Sequence, residues 1–122
     1  MAPEPLISII DDDASLRHAL VRLIRSFGYE ARGFGSAEEF TESGTIGSFA
    51  CVITDIQMPG MSGIELKQLL AKLNRTVPVI MITARHDVGL EERALAAGAA
   101  CFLRKPFAAE ALIACLERAL KS

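Results

Sequence analysis

The sequence predicts an α/β domain: five parallel strands in one sheet, with helices on both faces. Five short apolar runs alternate with five helical patterns along the 122 residues. The runs are nearly continuous in β-branched and aliphatic residues, as strands covered on both faces are. Strands separated by helices pair in parallel through right-handed crossovers, which gives three layers. The length fits one domain, since compact domains usually run ~100–150 residues. The reading is therefore a single unit over residues 1–122, with no repeat and no room for a second domain.

The elements follow in order. Leu6-Ile7-Ser8-Ile9-Ile10 is the first strand, and Leu16, Leu20, Leu23, Ile24 and Phe27 form the apolar stripe of the first helix, stopped by Gly28. Glu30 to Phe34 is a weaker second strand. Ser36-Ala37-Glu38-Glu39 has the form of a capping box and opens a short second helix. Ser43 to Ser48 is a flexible connection to the third strand, Ala50 to Thr54. Ser62-Gly63-Ile64-Glu65 is another capping box, and Leu66, Leu69, Leu70 and Leu73 stripe the third helix. Pro78 introduces the fourth strand, Val79 to Ile82. Helix four, Val88 to Ala97, is alanine-rich, with only Leu90, Ala94 and Ala97 on its best stripe, and Gly98 ends it. Cys101-Phe102-Leu103 is the fifth strand; Leu112, Ile113, Leu116 and Leu120 mark helix five.

Composition removes several classes of function. An apolar share of 51% with 23% charged residues excludes a disordered chain. Thirteen basic against fifteen acidic residues give a net charge of −2, which argues against direct nucleic-acid binding. The longest apolar or small run, Ala94 to Leu103, falls short of the ~18 residues a membrane span needs. The start, Met1-Ala2-Pro3-Glu4-Pro5, lacks the positive charge of a secretory signal. Cys51, Cys101 and Cys115 show no metal-ligand spacing and lie on apolar segments. They read as buried reduced thiols, hence a reducing, cytoplasmic compartment. His18 and His86 lack metal spacing and read as surface residues.

Open parallel sheets bind ligands beyond the carboxyl ends of their strands, where the strand order reverses. The residues just past each strand are therefore the candidates: Asp11-Asp12-Asp13, then Asp55, Thr83, and Arg104-Lys105-Pro106. Asp13 suits the N-terminus of the first helix. Asp11, Asp12 and Asp55 would repel one another by ~4 kcal/mol per pair at 4 Å and an effective dielectric near 20. A divalent cation between them removes that conflict, and carboxylate oxygens with water suit Mg2+, with Mn2+ as a substitute. Lys105 can pair with the acids when the rim is empty and with a phosphoryl oxygen when it is filled; Thr83 can donate to another. These are the parts of phosphoryl transfer, with one carboxylate as nucleophile forming an aspartyl phosphate. Asp55, alone at the end of the central strand, is the natural acceptor.

The chain resembles a bacterial two-component response-regulator receiver domain over its whole length. The resemblance rests on Ile9-Ile10-Asp11-Asp12, on Asp55 through Gly63, on Ile82-Thr83-Ala84 and on Lys105-Pro106-Phe107, in this order and spacing. It implies a flavodoxin-like sheet of order 2-1-3-4-5 and phosphorylation of Asp55 by a sensor histidine kinase or phosphotransfer protein. It further implies Mg2+ bound by Asp12 and Asp55 directly, by Asp11 through water, and by the main-chain carbonyl of Gln57. Thr83 and Lys105 would bind phosphoryl oxygens, and Lys105-Pro106 would be a cis peptide. Phe102 stands where the family couples the threonine to an aromatic switch; plain core packing is the competing reading. Helix four and strand five would be the output face, and a phosphorylation-promoted homodimer would form there. Gln57 and Arg85 occupy the family's lifetime-tuning positions.

Phe34-x-Ser36-Ala37-Glu38-Glu39-Phe40, with Asp87-Val88, is most similar to receivers of the nitrogen-fixation regulator type. Those usually carry a LuxR-class helix-turn-helix output domain, which this chain, ending at Ser122, does not include. Two alternatives compete. A haloacid-dehalogenase-type phosphatase needs a second aspartate as general acid where Gln57 stands, and glutamine cannot transfer that proton. A pseudo-receiver, a binding module that never accepts phosphate, normally loses the acceptor, the acidic pair or the lysine, and all are present here.

Overall fold

The computed structural model describes residues 4–121. Met1, Ala2 and Pro3, part of the stretch tested above for a secretory start, lie outside the described residues, as does Ser122. The elements are β1 (Leu6–Ile10), α1 (Ala14–Ser26), β2 (Glu30–Phe34), α2 (Ala37–Glu42), β3 (Cys51–Asp55), α3 (Gly63–Lys72), β4 (Val79–Thr83), α4 (Leu90–Ala96), β5 (Cys101–Arg104) and α5 (Ala109–Lys121). The five strands form one parallel sheet in the order β2-β1-β3-β4-β5.

Alternation along the strands sorts the core into two layers. Ile7, Ile9, Cys51, Ile53, Ile80 and Ile82 pack beneath α1 and α5. Ile10, Val52, Val79 and Met81 turn the other way, toward α2, α3 and α4. β3 and β4 are buried along their whole lengths, which is why their sequences read as unbroken apolar runs. The short α2 is held by an aromatic cluster: Phe34, Phe40 and Phe49 meet edge to face at centroid distances of 5.2–5.8 Å.

Several local expectations change. β3, β4 and β5 each extend one residue further, so Asp55, Thr83 and Arg104 are the last residues of their strands rather than the first beyond them. α4 is shorter than Val88–Ala97: it begins after Gly89, at φ 80°, and leaves Val88 98% exposed. Phe27 caps the end of α1 and is 52% exposed, outside the core that its spacing suggested. The connection Ser43–Ser48 contains a 3-10 turn at Ile46–Ser48. Ser36 caps α2 by accepting from the Glu39 amide, but the Glu39 carboxylate turns to the Gly35 amide at 2.9 Å, so that box is incomplete. The Ser62–Glu65 box is complete.

The cysteines require a correction. Cys101 and Cys115 are joined by a disulfide between β5 and α5, with Cα atoms 6.1 Å apart, not left as reduced thiols. Packing of α5 on the sheet sets Cys115 against Cys101 across 14 residues, a separation that motif spacing does not reveal. Cys51 is a buried free thiol, and burial pushes its pKa up to about 12. The cytoplasmic reading thus loses its support from the cysteines.

Candidate functional site

β1 and β3 are neighbours, and the chain leaves them toward opposite edges of the sheet, so a crevice opens between their carboxyl ends. Ile10 pairs with Thr54, which brings Asp11 and Asp55 to that crevice from adjacent strands. Asp11 is fully buried and Asp55 is 7% exposed, whereas Asp12 is open to solvent. One carboxylate oxygen from each of the three lies within 4.8 Å of the others. Asp13 does what its position suggested: its side chain caps α1 by accepting from the Ser15 and Leu16 amides.

Lys105 follows β5 and reaches back to this cluster. Its ammonium donates to Asp55 Oδ2 at 3.0 Å and to Asp11 Oδ2 at 3.2 Å. The Lys105–Pro106 peptide is cis. Burial raises the Asp55 pKa above its ordinary value of 3.8; Lys105 pulls against that rise and the Asp11 charge adds to it. Burial works against the Lys105 ammonium, yet its bonds to Asp55 and Asp11 prevail and its pKa is raised. The pocket therefore has more negative charge than its one bridging cation relieves. Its donors are all hard carboxylate oxygens, which fit Mg2+ or Mn2+.

The loops beside the acids are fixed by close contacts. Gly63 opens α3 against the end of β3, and a Cβ there would sit 2.5 Å from the Asp55 carbonyl oxygen. Gly60, at φ 79°, lets the loop bend past Glu38, whose carboxylate accepts from the Met61 amide at 2.7 Å. Thr83 is buried and donates to Gln57 Oε1 at 2.6 Å, while its own oxygen accepts from the Arg85 amide. The sequence singled out Gln57 for its main-chain carbonyl and as a lifetime-tuning position; the contact between its side chain and Thr83 joins positions 26 residues apart and had no sequence signal.

The side chains of the remaining candidates find other partners than the acids. Arg85 is exposed and pairs with Asp87 at 3.1 Å. Phe102 is half-buried on the α4 side of the sheet, with the Arg104 guanidinium 5.1 Å from its ring centroid. Thr83 pairs with Arg104 and Met81 with Phe102, so Thr83 and Phe102 share that face on adjacent strands. His18 and His86 are exposed.

Fold and pocket together define a doubly wound α/β domain with an acidic, lysine-bridged crevice at the point where its strand order reverses. Residues 7–117 match the response regulator receiver domain family. The chain is 38% identical over 120 residues to the response regulator protein TmoT of Ectopseudomonas mendocina, covering 97% of this chain and 54% of that one. It is 37% identical over 115 residues to the transcriptional regulatory protein FixJ of Bradyrhizobium diazoefficiens, covering 94% and 56%. A crystal structure of a response regulator receiver protein from Burkholderia phymatum superposes with a TM-score of 0.85 at 44% identity, covering 97% and 96%. The chain belongs to the response regulator receiver domain family: it is the receiver domain of a two-component response regulator. It spans about half the length of the curated relatives it matches. Receiver domains are signalling modules rather than substrate-turnover enzymes, which removes the phosphatase alternative. No helix among the described residues is long and apolar enough to cross a membrane.

The raised Asp55 pKa has a consequence for the metal-free protein. The folded chain holds the Asp55 proton to higher pH than the unfolded chain does. The group therefore favours folding below its ordinary value of 3.8, and that contribution is lost as pH rises through the folded pKa. With divalent cations chelated at neutral pH, Asp55→Asn is expected to raise the thermal midpoint by a few degrees. Circular dichroism melting checks this, and a lower midpoint would contradict the reading that burial outweighs the Lys105 bond.

Proposed function

We propose that this domain is a Mg2+-dependent phosphoacceptor switch in which Asp55 takes a phosphoryl group from a sensor histidine kinase or phosphotransfer protein. The observation that carries the proposal is the Lys105 ammonium bridging Asp11 and Asp55 where three carboxylates gather. An Asp55 oxygen bonds to phosphorus as the bond from phosphorus to the donor's histidine nitrogen breaks, and the released imidazole takes up a proton. Asp12, Asp55, the Gln57 main-chain carbonyl and, through water, Asp11 would hold the cation, which offsets the charge of the acids and of the phosphoryl oxygens. Lys105 leaves Asp55 to bind one phosphoryl oxygen, and Thr83 turns from Gln57 to donate to another. Gln57 and Arg85 flank this rim and would set how readily water reaches the acyl phosphate.

The output would run along the shared face of Thr83 and Phe102 to α4. That helix is thinly attached, with Leu90 and Ala94 as its buried residues, and Arg104 on β5 meets Glu91 at 3.6 Å. Little buried area holds it in place, as a movable element requires. The face would control either a separate partner or a DNA-binding output domain, with no nucleic-acid contact by the receiver itself. We place the domain in the cytoplasm, where nucleoside triphosphates feed histidine kinases. No step of this mechanism uses the Cys101–Cys115 bond.

Incubation with Mg2+ and acetyl phosphate is expected to add one phosphoryl mass to the intact protein. The adduct should vanish in Asp55→Asn and with a chelator present. No adduct on a folded chain would favour the pseudo-receiver. Sedimentation with and without a phosphoryl mimic tests a homodimer through the α4–β5 face: a shift toward dimer is expected, and identical profiles would remove the homodimer.

A further inference from the structure

Outside the predicted constellation, one side chain ties itself to the acidic rim from a neighbouring helix. β1 ends at Ile10 and α1 begins at Ala14, so Asp11, Asp12 and Asp13 form an irregular turn. On one side the Asp11 amide donates to the Phe34 carbonyl of β2 at 3.1 Å. On the other, Arg17 reaches back from α1, and its Nη1 donates to the Asp11 carbonyl oxygen at 2.7 Å. The Arg17 amide also donates to the Asp13 carbonyl at 2.9 Å, and Asp11 Oδ1 accepts from the Asp13 amide at 2.9 Å. The main chain on both sides of Asp12 is thus fixed, while the Asp12 side chain is open to solvent.

The route taken by Arg17 is built into β2. Its stem crosses Gly33, where a Cβ would stand 3.1 Å from Arg17 Cγ and 3.2 Å from Cδ. Its Nη1 passes Gly35, where a Cβ would lie 3.5 Å away. A Cβ at Gly33 would press on the arginine stem and shift it by a few tenths of an ångström, whereas the arginine's spacing from a Cβ at Gly35 is ordinary van der Waals contact. A charge-assisted bond at this length is among the stronger ones, and it acts on the peptide that joins the buried acid to the exposed one.

We infer that Arg17 is a positioning residue for the metal site: by clamping the Asp11 carbonyl it holds the Asp11–Asp13 turn in the form that binds a divalent cation. The inference rests on the Mg2+ reading proposed above. Its sign separates it from simple electrostatics. A bystander cation beside a metal site repels the metal, so removing it would tighten binding. Removing a clamp loosens the ligands and weakens binding, by the ~10–100-fold typical of groups that orient metal ligands.

The test is a Mg2+ titration of the whole chain followed by backbone amide shifts of Asp12 and Asp13. Arg17→Met keeps the stem over Gly33 and loses the donor; Gly33→Ala keeps the arginine and shifts its stem. Arg17→Met is expected to bind Mg2+ roughly tenfold more weakly or worse, and Gly33→Ala more weakly than the parent. Arg25→Met is the control, because Arg25 makes the same kind of bond, to the Ala31 carbonyl at 2.8 Å, away from the acids. It should lower the melting temperature and leave Mg2+ affinity unchanged. Affinity equal to or tighter than the parent's in Arg17→Met would overturn the inference. Should that variant fail to fold, parent-like affinity in Gly33→Ala overturns it instead. If the parent and Asp12→Asn respond alike to Mg2+, the underlying metal reading fails, and Arg17 falls with it.

Discussion

Two carboxylates on adjacent parallel strands share one ammonium. Register brings Asp11 and Asp55 to the same crevice, and the fold buries both. Water cannot relieve their repulsion there, so Lys105 must, and it comes from the far side of the sheet to do so. The bridge offsets part of the cost of burying both charges and leaves the pocket short of positive charge. A pocket in that state favours whatever adds cations and accepts negative oxygen, which is the demand of phosphoryl transfer. In the proposed phosphoacceptor role the same bridge would have to part, so the interaction that holds the site together would also resist its use.

Strand alternation then divides the labour between the faces. Asp55 stands in phase with Cys51 and Ile53, whose layer lies under α1 and α5. Thr83 stands in phase with Met81, in the layer that holds Phe102 and α4. Thr83, the last residue of β4, thus joins the rim to the layer that holds Phe102 and α4. The Thr83 hydroxyl has a single proton, now given to Gln57. Offering it to a phosphoryl oxygen means withdrawing it from Gln57, so the acceptor and the β3–α3 loop cannot both keep their resting partners.

The fold was legible because its strands are buried on both faces and punctuated by helices with clear apolar stripes. The placement of Asp11, Asp55, Thr83 and Lys105 along one rim of the sheet was legible because each sits at or just past the carboxyl end of a strand. What escaped was decided by side-chain tips crossing between elements. Arg17 on the Asp11 carbonyl, Glu38 on the Met61 amide and Gln57 on Thr83 leave no mark in periodicity or motif. Cys101 and Cys115 meet only because α5 lies along β5. Phe27 kept the helical phase yet fell past the last turn, where phase no longer implies burial.

The most direct test of the shared-ammonium account is a crystal structure of this domain with Mg2+ and trifluoroberyllate, which mimics a phosphoryl group on a carboxylate. The account predicts the mimic on Asp55, the Lys105 ammonium moved from Asp55 to a fluorine, and the Thr83 hydroxyl turned from Gln57 to another. A structure in which Lys105 still spans Asp11 and Asp55, with Asp55 bare, would contradict it.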